Sequence, residues 1–314
     1  MGKFIGLSQY KAPFSYELAG KHFQIVMDNG SEYSLFFVDG ETVQVAKKGE
    51  AYLFETYECL KGDDTTYLVH IQPTAGKGLE NWSLVLDTEQ RLVTFVLMEE
   101  GYDPKFPRLI RTTPFFGAIK VPGRDLPKIR HHLDDRMVGK HIFWHYQPGY
   151  AIQHIYHAAN CVRASSGGGF ASASEALEHM IKTELANAPQ QVRDQQQARL
   201  DSIRARESFY PYYEEPCFHI WINERLNLFC FLEEIMMRRA PGYNAGGGGI
   251  LLLQNIERDV DVGLSFCKGE YYMCTAYGEE NDEPDPLDTR ESIYDWDSLE
   301  AMPSIRWEIP KKES

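Results

Sequence analysis

Met137–Asn160 reads MVGKHIFWHYQPGYAIQHIYHAAN, and it repeats, 119 positions on, the stretch LAGKHFQIVMDNGSEYSLFFVDG of Leu18–Gly40. Gly20, Lys21, His22 and Gly30 recur without a gap as Gly139, Lys140, His141 and Gly149. Each copy has the pattern of two short strands around a tight turn. Asn29-Gly30 suits a type I′ turn, whose two central residues need positive φ. Gln147-Pro148-Gly149 supplies turn residues of its own in the second copy. Side chains alternate between the faces of a strand. One face of the first copy therefore collects Phe23, Ile25 and Met27, then Tyr33, Leu35 and Phe37. The same register in the second copy collects Ile142, Trp144 and Tyr146, then Ile152, His154 and Tyr156. The first set predicts an apolar interior. The second adds an imidazole, an indole and two phenols.

Working outward, residues 18 to 98 form short β-rich runs separated by turns, spaced as in an antiparallel meander that closes into a barrel. Residues 100 to 136 are Pro-rich and read as a connector, with Phe115-Phe116 placed to cover a barrel mouth. The second unit is interrupted after Cys161-Val162-Arg163 by a Ser/Gly run and two helical segments. Leu177, Met180, Ile181 and Leu185 share a helix face, and Ser172 with Glu175 fits a capping box. The second helical segment, Gln190 to Glu207, is polar. Strand-like runs then resume, so the insertion, at about 165–214, is expected between strands two and three of the second unit. The expected fold is all-β: two tandem lipocalin-like antiparallel barrels with a helical insertion in the second. The domains are 1–134, barrel plus connector, and 135–314, barrel, insertion and acidic tail. From Glu279 to Glu300 the chain carries ten acidic residues and one basic residue, Arg290, as a solvated tail would.

The bulk numbers fit a globular chain with a sizeable core, 314 residues at 43% hydrophobic content. A formal charge of −14 argues against nucleic acid as a partner, because phosphate contacts need clustered Lys and Arg. The six cysteines form no CxxC pair, and the ten histidines make no set with ligand spacing, so neither disulfides nor a metal are expected. There is no charged-then-apolar leader and no run near ~18 apolar residues, so no membrane association is expected and the cytoplasm is the expected compartment.

The run GKH-strand-NG-strand, the later IQPT at Ile71–Thr74, and HIY at His154–Tyr156 followed by FLEE at Phe231–Glu234 resemble the family of molybdenum cofactor biosynthesis protein F. The resemblance covers most of residues 17 to 280 outside the insertion. It implies tandem lipocalin-like barrels, each similar to the phenolic acid decarboxylases, which act without a cofactor. Two tyrosines that hold the carboxylate in those enzymes correspond to Trp144 and Tyr146 in the second half and to Ile25 and Met27 in the first. Their acid corresponds to Glu233 and to Gln72. Their Arg-Trp pair has no counterpart in AYLFETYE or PCFHIWIN, so the resemblance carries over no carboxylate-binding arginine. The family name reflects genetic context and brings no molybdenum chemistry with it.

Glu233, His154 and Tyr146 are therefore the candidate catalytic residues, and Trp144, Tyr156, His219 and Phe231 the candidate substrate contacts. Glu233 follows Phe229 and Phe231 on one strand face. An inward carboxyl among apolar groups would be raised toward neutrality, as a general acid or base needs; its neighbour Glu234 would then face out. The plainer readings are core aromatics, a satisfied core histidine and a strand-end carboxylate in solvent. Three functions stay open. One is a cofactor-independent lyase, isomerase or cyclase acting on a small, largely apolar or aromatic metabolite in the second barrel. Another is a carrier that only orients such a ligand. The third is a structural partner of another enzyme. The first barrel, lacking the reactive set, is expected to pack as a closed core. The inserted helices fit a lid or a homodimer arm equally.

Overall fold

The computed structural model describes residues 10–147, 150–166, 173–183, 185–207, 213–239 and 248–281. Alternating apolar runs closed by turns give strands that pair in sequence order. β1 (His22–Met27), β2 (Glu32–Phe37), β3 (Thr42–Lys47), β4 (Leu53–Lys61), β5 (Thr66–Ile71), β6 (Glu80–Asp87), β7 (Leu92–Glu100) and β8 (Ile110–Lys120) form a closed antiparallel barrel. β8 completes it by pairing with β1, Gln24 opposite Lys120. The connector expected at residues 100 to 136 thus contains the eighth strand. Its Phe115 points inside the barrel and stacks on Phe95, with centroids 5.6 Å apart, while Phe116 packs on the outer face.

A two-residue strand, β9 (His132–Leu133), already belongs to the second sheet. There follow β10 (His141–Gln147), β11 (Tyr150–Ala158), β12 (Cys161–Ser166), β13 (Tyr213–Trp221), β14 (Leu226–Leu232), β15 (Gly249–Asn255), β16 (Val260–Cys267) and β17 (Glu270–Glu280). β17 pairs with β10, and β12 pairs with β13 across the insertion, so this sheet also closes. The insertion holds α1 (Ala173–Thr183) and α2 (Gln190–Glu207). It lies between the third and fourth strands of the barrel, one strand later than the sequence reading placed it, because Cys161–Ser166 is itself a strand. Leu177 of α1 and Leu200 of α2 are buried and Ile181 half-buried; the side chains of Met180 and Glu175, and Ser172, lie outside the described residues. At the seam below the helices Arg163 and Glu214 face each other across β12 and β13, joined at 2.8 Å and fully buried. Removing one partner of such a pair strands the other charge, at a cost of roughly 3–5 kcal/mol.

The repeat holds to the register. Phe23 pairs with Leu35 and Ile25 with Tyr33 in the first hairpin; Ile142 pairs with His154 and Trp144 with Ile152 in the second. The entry turns also match. Gly20 and Gly139 sit at φ +78° and +87°, which a side chain would strain. Each donates its N–H to the end of the second strand, Phe37 or Tyr156, at 2.7 and 2.8 Å. Leu18 and Met137, two residues before, are fully buried in the two interiors.

A third apolar cluster lies between the barrels. Leu60, Leu68, Val85, Val96, Met98 and Ile110 of the first pack with Phe218, Leu228, Leu251, Leu253, Leu264 and Phe266 of the second. The central strands of both barrels are consequently buried on both faces; all seven residues of β14 are buried. Polar bridges border this seam. Gln72 donates to the Gly269 carbonyl at 2.9 Å, Asn223 to Asp63 at 3.0 Å, and Asn255 to the Gly62 carbonyl at 3.0 Å.

Candidate functional site

Inside the second barrel, Trp144, Tyr146, His154, Tyr156, His219 and Phe231 all point inward and are at most 5% exposed. Tyr156 is their hub. Its hydroxyl oxygen accepts from Trp144 Nε1 at 3.0 Å and from Gln254 Nε2 at 2.6 Å, and lies 3.4 Å from His154 Nδ1. Gln254 accepts in turn from Asn227 Nδ2 at 2.8 Å, and Asn227 lies 3.3 Å from His219 Nδ1. The His219 ring stacks on Phe229 with centroids 4.8 Å apart. Burial pulls His154 down to about 3 and His219 to about 4, so both are neutral over the physiological range. Trp144, Tyr156 and His219 are thus walls and braces of a packed network.

Two of the expected catalytic residues, Tyr146 and His154, do line a common cavity with Phe231, Ile152, Ile250, Ser265, Tyr272 and Cys274. Its volume is only about 40 Å³, room for a small group and not for a whole metabolite.

Glu233 is not among that lining. β14 stops at Leu232, and Glu233 begins the turn into a short helix, α3 (Glu234–Arg239). Its backbone N–H donates to the Gly248 carbonyl at 3.1 Å, and the residue is half-buried. The strand that carries Phe229 and Phe231 therefore ends before it. Its neighbour Glu234, expected to face out, is the buried one: it accepts from Arg238 Nε at 2.8 Å and from the Tyr102 hydroxyl at 3.1 Å. Gln72, its first-barrel correspondent, also lies past a strand end and is spent on the bridge to Gly269.

A carboxyl that does face the second interior is Asp261, fully buried on β16. Tyr146 donates to its Oδ2 at 3.2 Å and the Ala276 N–H to its Oδ1 at 2.9 Å. Desolvation outweighs both bonds and raises it to about 7. The Tyr146 phenol is pushed well above its usual range, first by burial and then by the Asp261 charge. Across the sixth and seventh strands Gln254 pairs with Asp261, where the first barrel pairs Leu86 with Val93. The sequence signal is a lone Asp in the alternating run Val260-Asp261-Val262-Gly263-Leu264. Read by itself, that run turns its apolar face inward and Asp261 out. The apolar face instead meets the other barrel.

The first barrel is the one with room. Its interior holds a cavity of about 340 Å³, walled by Ile25, Met27, Leu35, Val45, Ile71 and Leu84, and by Tyr33, Trp82, Phe95 and Phe115. Phe95 anchors the aromatic side, stacked on Phe115 and edge-on to Trp82 at 6.1 Å. Asn29, Ser31, Lys47 and Glu80 also line it. These four lie at the β1–β2 turn, the end of β3 and the start of β6, which places the polar groups together at one end. The closed core expected here is instead hollow.

Two eight-stranded barrels in tandem, sharing a hairpin register, are the setting for the family comparison. Residues 4–99 match the MoaF N-terminal domain. The match stops within β7, one strand short of the closure by β8. No curated protein matches the chain. Among the described residues no group of three or more His, Cys, Asp or Glu is placed to hold a metal ion.

Proposed function

We propose that this chain is a lipocalin-type binding protein whose principal site is the barrel of the MoaF-matching half, and that its ligand is a small, largely apolar, oxygenated molecule. The supporting observation is the 340 Å³ cavity with aromatic walls and polar groups at one end. That volume falls in the range of ordinary ligand pockets, and burial of apolar ligand surface against such walls supplies the affinity. Lys47 and Glu80 bring opposite charges to the polar end, which favours a neutral molecule with hydrogen-bonding oxygens over a strong anion. The likeness to phenolic acid decarboxylases enters at the level of barrel shape and ligand size; decarboxylation is not part of the reading.

Nile red, a neutral oxygenated aromatic dye that brightens in apolar surroundings, tests the site. Leu97 lines the cavity and is half-buried, so Leu97→Trp places an indole in existing space. Dye affinity should fall at least about tenfold, equivalent to ~1.4 kcal/mol, with the melting transition little changed. Tyr146→Phe in the other barrel should leave dye binding as it was. Unchanged affinity in Leu97→Trp would overturn the assignment.

Acid/base catalysis in the second barrel is the alternative, and one observation favours keeping it: a buried carboxyl poised at about 7. In that reading the proton carrier is Asp261 with Tyr146, in place of Glu233.

A further inference from the structure

We propose that the small cavity of the second barrel is a receptor for a carbonyl oxygen, held between the Nε2–H of His154 and the O–H of Tyr146, on a neutral ketone, aldehyde or ester. This is a second site, independent of the first-barrel pocket, and it stands whether or not the bound molecule is turned over.

The hydrogen-bond network sets the His154 tautomer. Trp144 Nε1 and Gln254 Nε2 are donors, and both are spent on the Tyr156 oxygen, at 3.0 and 2.6 Å. The Tyr156 proton is then left to point at the remaining neighbour, His154 Nδ1, at 3.4 Å. An Nδ1 that accepts leaves the single proton of a neutral imidazole on Nε2. That Nε2 is buried and has no partner, and the ring borders the cavity. A buried donor without an acceptor is destabilising, so an oxygen entering the cavity recovers what the empty site forgoes.

Tyr146 is the second donor, and Asp261 decides when it is free. With Asp261 ionised, the Tyr146 proton is committed to Oδ2, 3.2 Å away. With Asp261 protonated on Oδ2, the carboxyl donates to the phenol oxygen and the Tyr146 proton is released toward the cavity. Among the described residues the titratable groups around Asp261 are Tyr146 on β10, Tyr156 on β11 and Cys274 on β17; burial raises all three and keeps them neutral near pH 7. Its cross-strand neighbour on β15 is the uncharged Gln254. Asp261 is thus the group that titrates there, at about 7.

The same surroundings select against a carboxylate. Among the described residues no Lys or Arg borders the cavity, and Asp261 stands behind Tyr146. A neutral carbonyl needs only the two donors. Ile152, Ile250 and Tyr272, all half-buried, provide apolar flanks for the carbon skeleton that carries it.

Acetophenone is the probe, with benzoate as its anionic counterpart, both offered to the Leu97→Trp chain so that the first barrel is blocked. Acetophenone should bind with its C=O stretch moved to lower wavenumber, and Tyr146→Phe and His154→Phe should each return part of that shift. Affinity should be about tenfold greater at pH 6 than at pH 8, because only the fraction with Asp261 protonated offers both donors. Asp261→Asn should flatten that dependence. Nitrogen-15 spectra of the unliganded chain should show His154 as the Nε2–H tautomer, a readout that needs no ligand. Absence of acetophenone binding, an unshifted stretch, pH-independent affinity, a preference for benzoate, or an Nδ1–H tautomer would each overturn the proposal.

Discussion

The two barrels share a register and differ most along the first hairpin. Along the first hairpin the inward residues are Ile25, Met27, Leu35 and Phe37; at the same pairing positions the second has Trp144, Tyr146, His154 and Tyr156. The bulkier set fills the second interior, where a glycine makes room for it: a Cβ on Gly278 would meet the Trp144 ring at 3.1 Å. The smaller set leaves the first barrel with 340 Å³, against 40 Å³ in the second. Rich chemistry and open space have thus gone to different halves. A crowd of ionisable side chains is a poor guide to where a ligand fits, because those side chains occupy the volume a ligand would need.

The largest effect that separates the halves is the titration of one barrel-lining carboxyl in the second. Burial raises the Asp261 carboxyl from 3.8 to about 7, whereas its first-barrel counterpart is Val93. The folded chain keeps a proton that the unfolded chain releases above pH ~4. Stability tied to that proton is complete below pH ~4 and is lost as pH rises toward 7, on the order of 4 kcal/mol in all. Buried histidines in both halves act oppositely: His70 and His131 are lowered to about 3, His154 to about 3 and His219 to about 4, so each costs stability as pH falls below its unfolded value. Asp261→Asn leaves them in place, so the difference isolates the carboxyl. Denaturant titrations from pH 4 to 7 should show the advantage of wild type over Asp261→Asn shrinking across that interval. Parallel curves would mean that Asp261 is hydrated and that the second interior is not sealed.

A reciprocal test exchanges volume. Trp144→Ile gives the second barrel the residue the first uses at this position. Trp144 is 1% exposed, and Trp→Ala in a packed core costs about 3–5 kcal/mol. Isoleucine refills part of the hole, so a loss of roughly 2–4 kcal/mol is expected, together with new Nile red binding in a Leu97→Trp background. A stable variant that binds no dye would show that the second barrel collapses around the vacancy, and that wall volume alone does not make a container.

How far the sequence reaches follows from the same contrast. The repeat of Gly20-Lys21-His22 at Gly139-Lys140-His141 predicts the paired hairpins and their inward faces, because strand alternation and turn chemistry are local. The eighth strand hid in Ile110–Lys120, where Pro114 and Gly117 interrupt the alternating pattern. Asp261 was illegible for a different reason. Strands β14 to β17 bury one face in their own barrel and the other against its neighbour, so periodicity could not say which side was in. Glu233 lies one residue past the end of its strand and outside the cavity lining, a placement that carboxylate spacing does not reveal. Cavity volume depends on how several walls add up, and no single run of residues carries it.

The smallest effect tests the network rather than the volume. Phe37 and Tyr156 are equivalent: each accepts the entry glycine's N–H on its carbonyl and each ring is fully buried. Phe37 meets Tyr57 edge-on at 4.9 Å and needs no polar partner. The Tyr156 oxygen satisfies two buried donors. Tyr156→Phe therefore keeps the ring and strands Trp144 Nε1–H and the Gln254 amide, at a cost of about 1–3 kcal/mol for a buried polar group left unpaired. Phe37→Tyr, the reverse exchange, brings a hydroxyl into a wall with no matching network and should destabilise by a similar amount. Chemical denaturation of both variants measures this. The Trp144→Phe, Tyr156→Phe double variant should recover part of the loss, because it removes one stranded donor along with the acceptor. Additive losses would show that Trp144 and Tyr156 are neighbours only in space, and that their bond does not help to hold the second barrel.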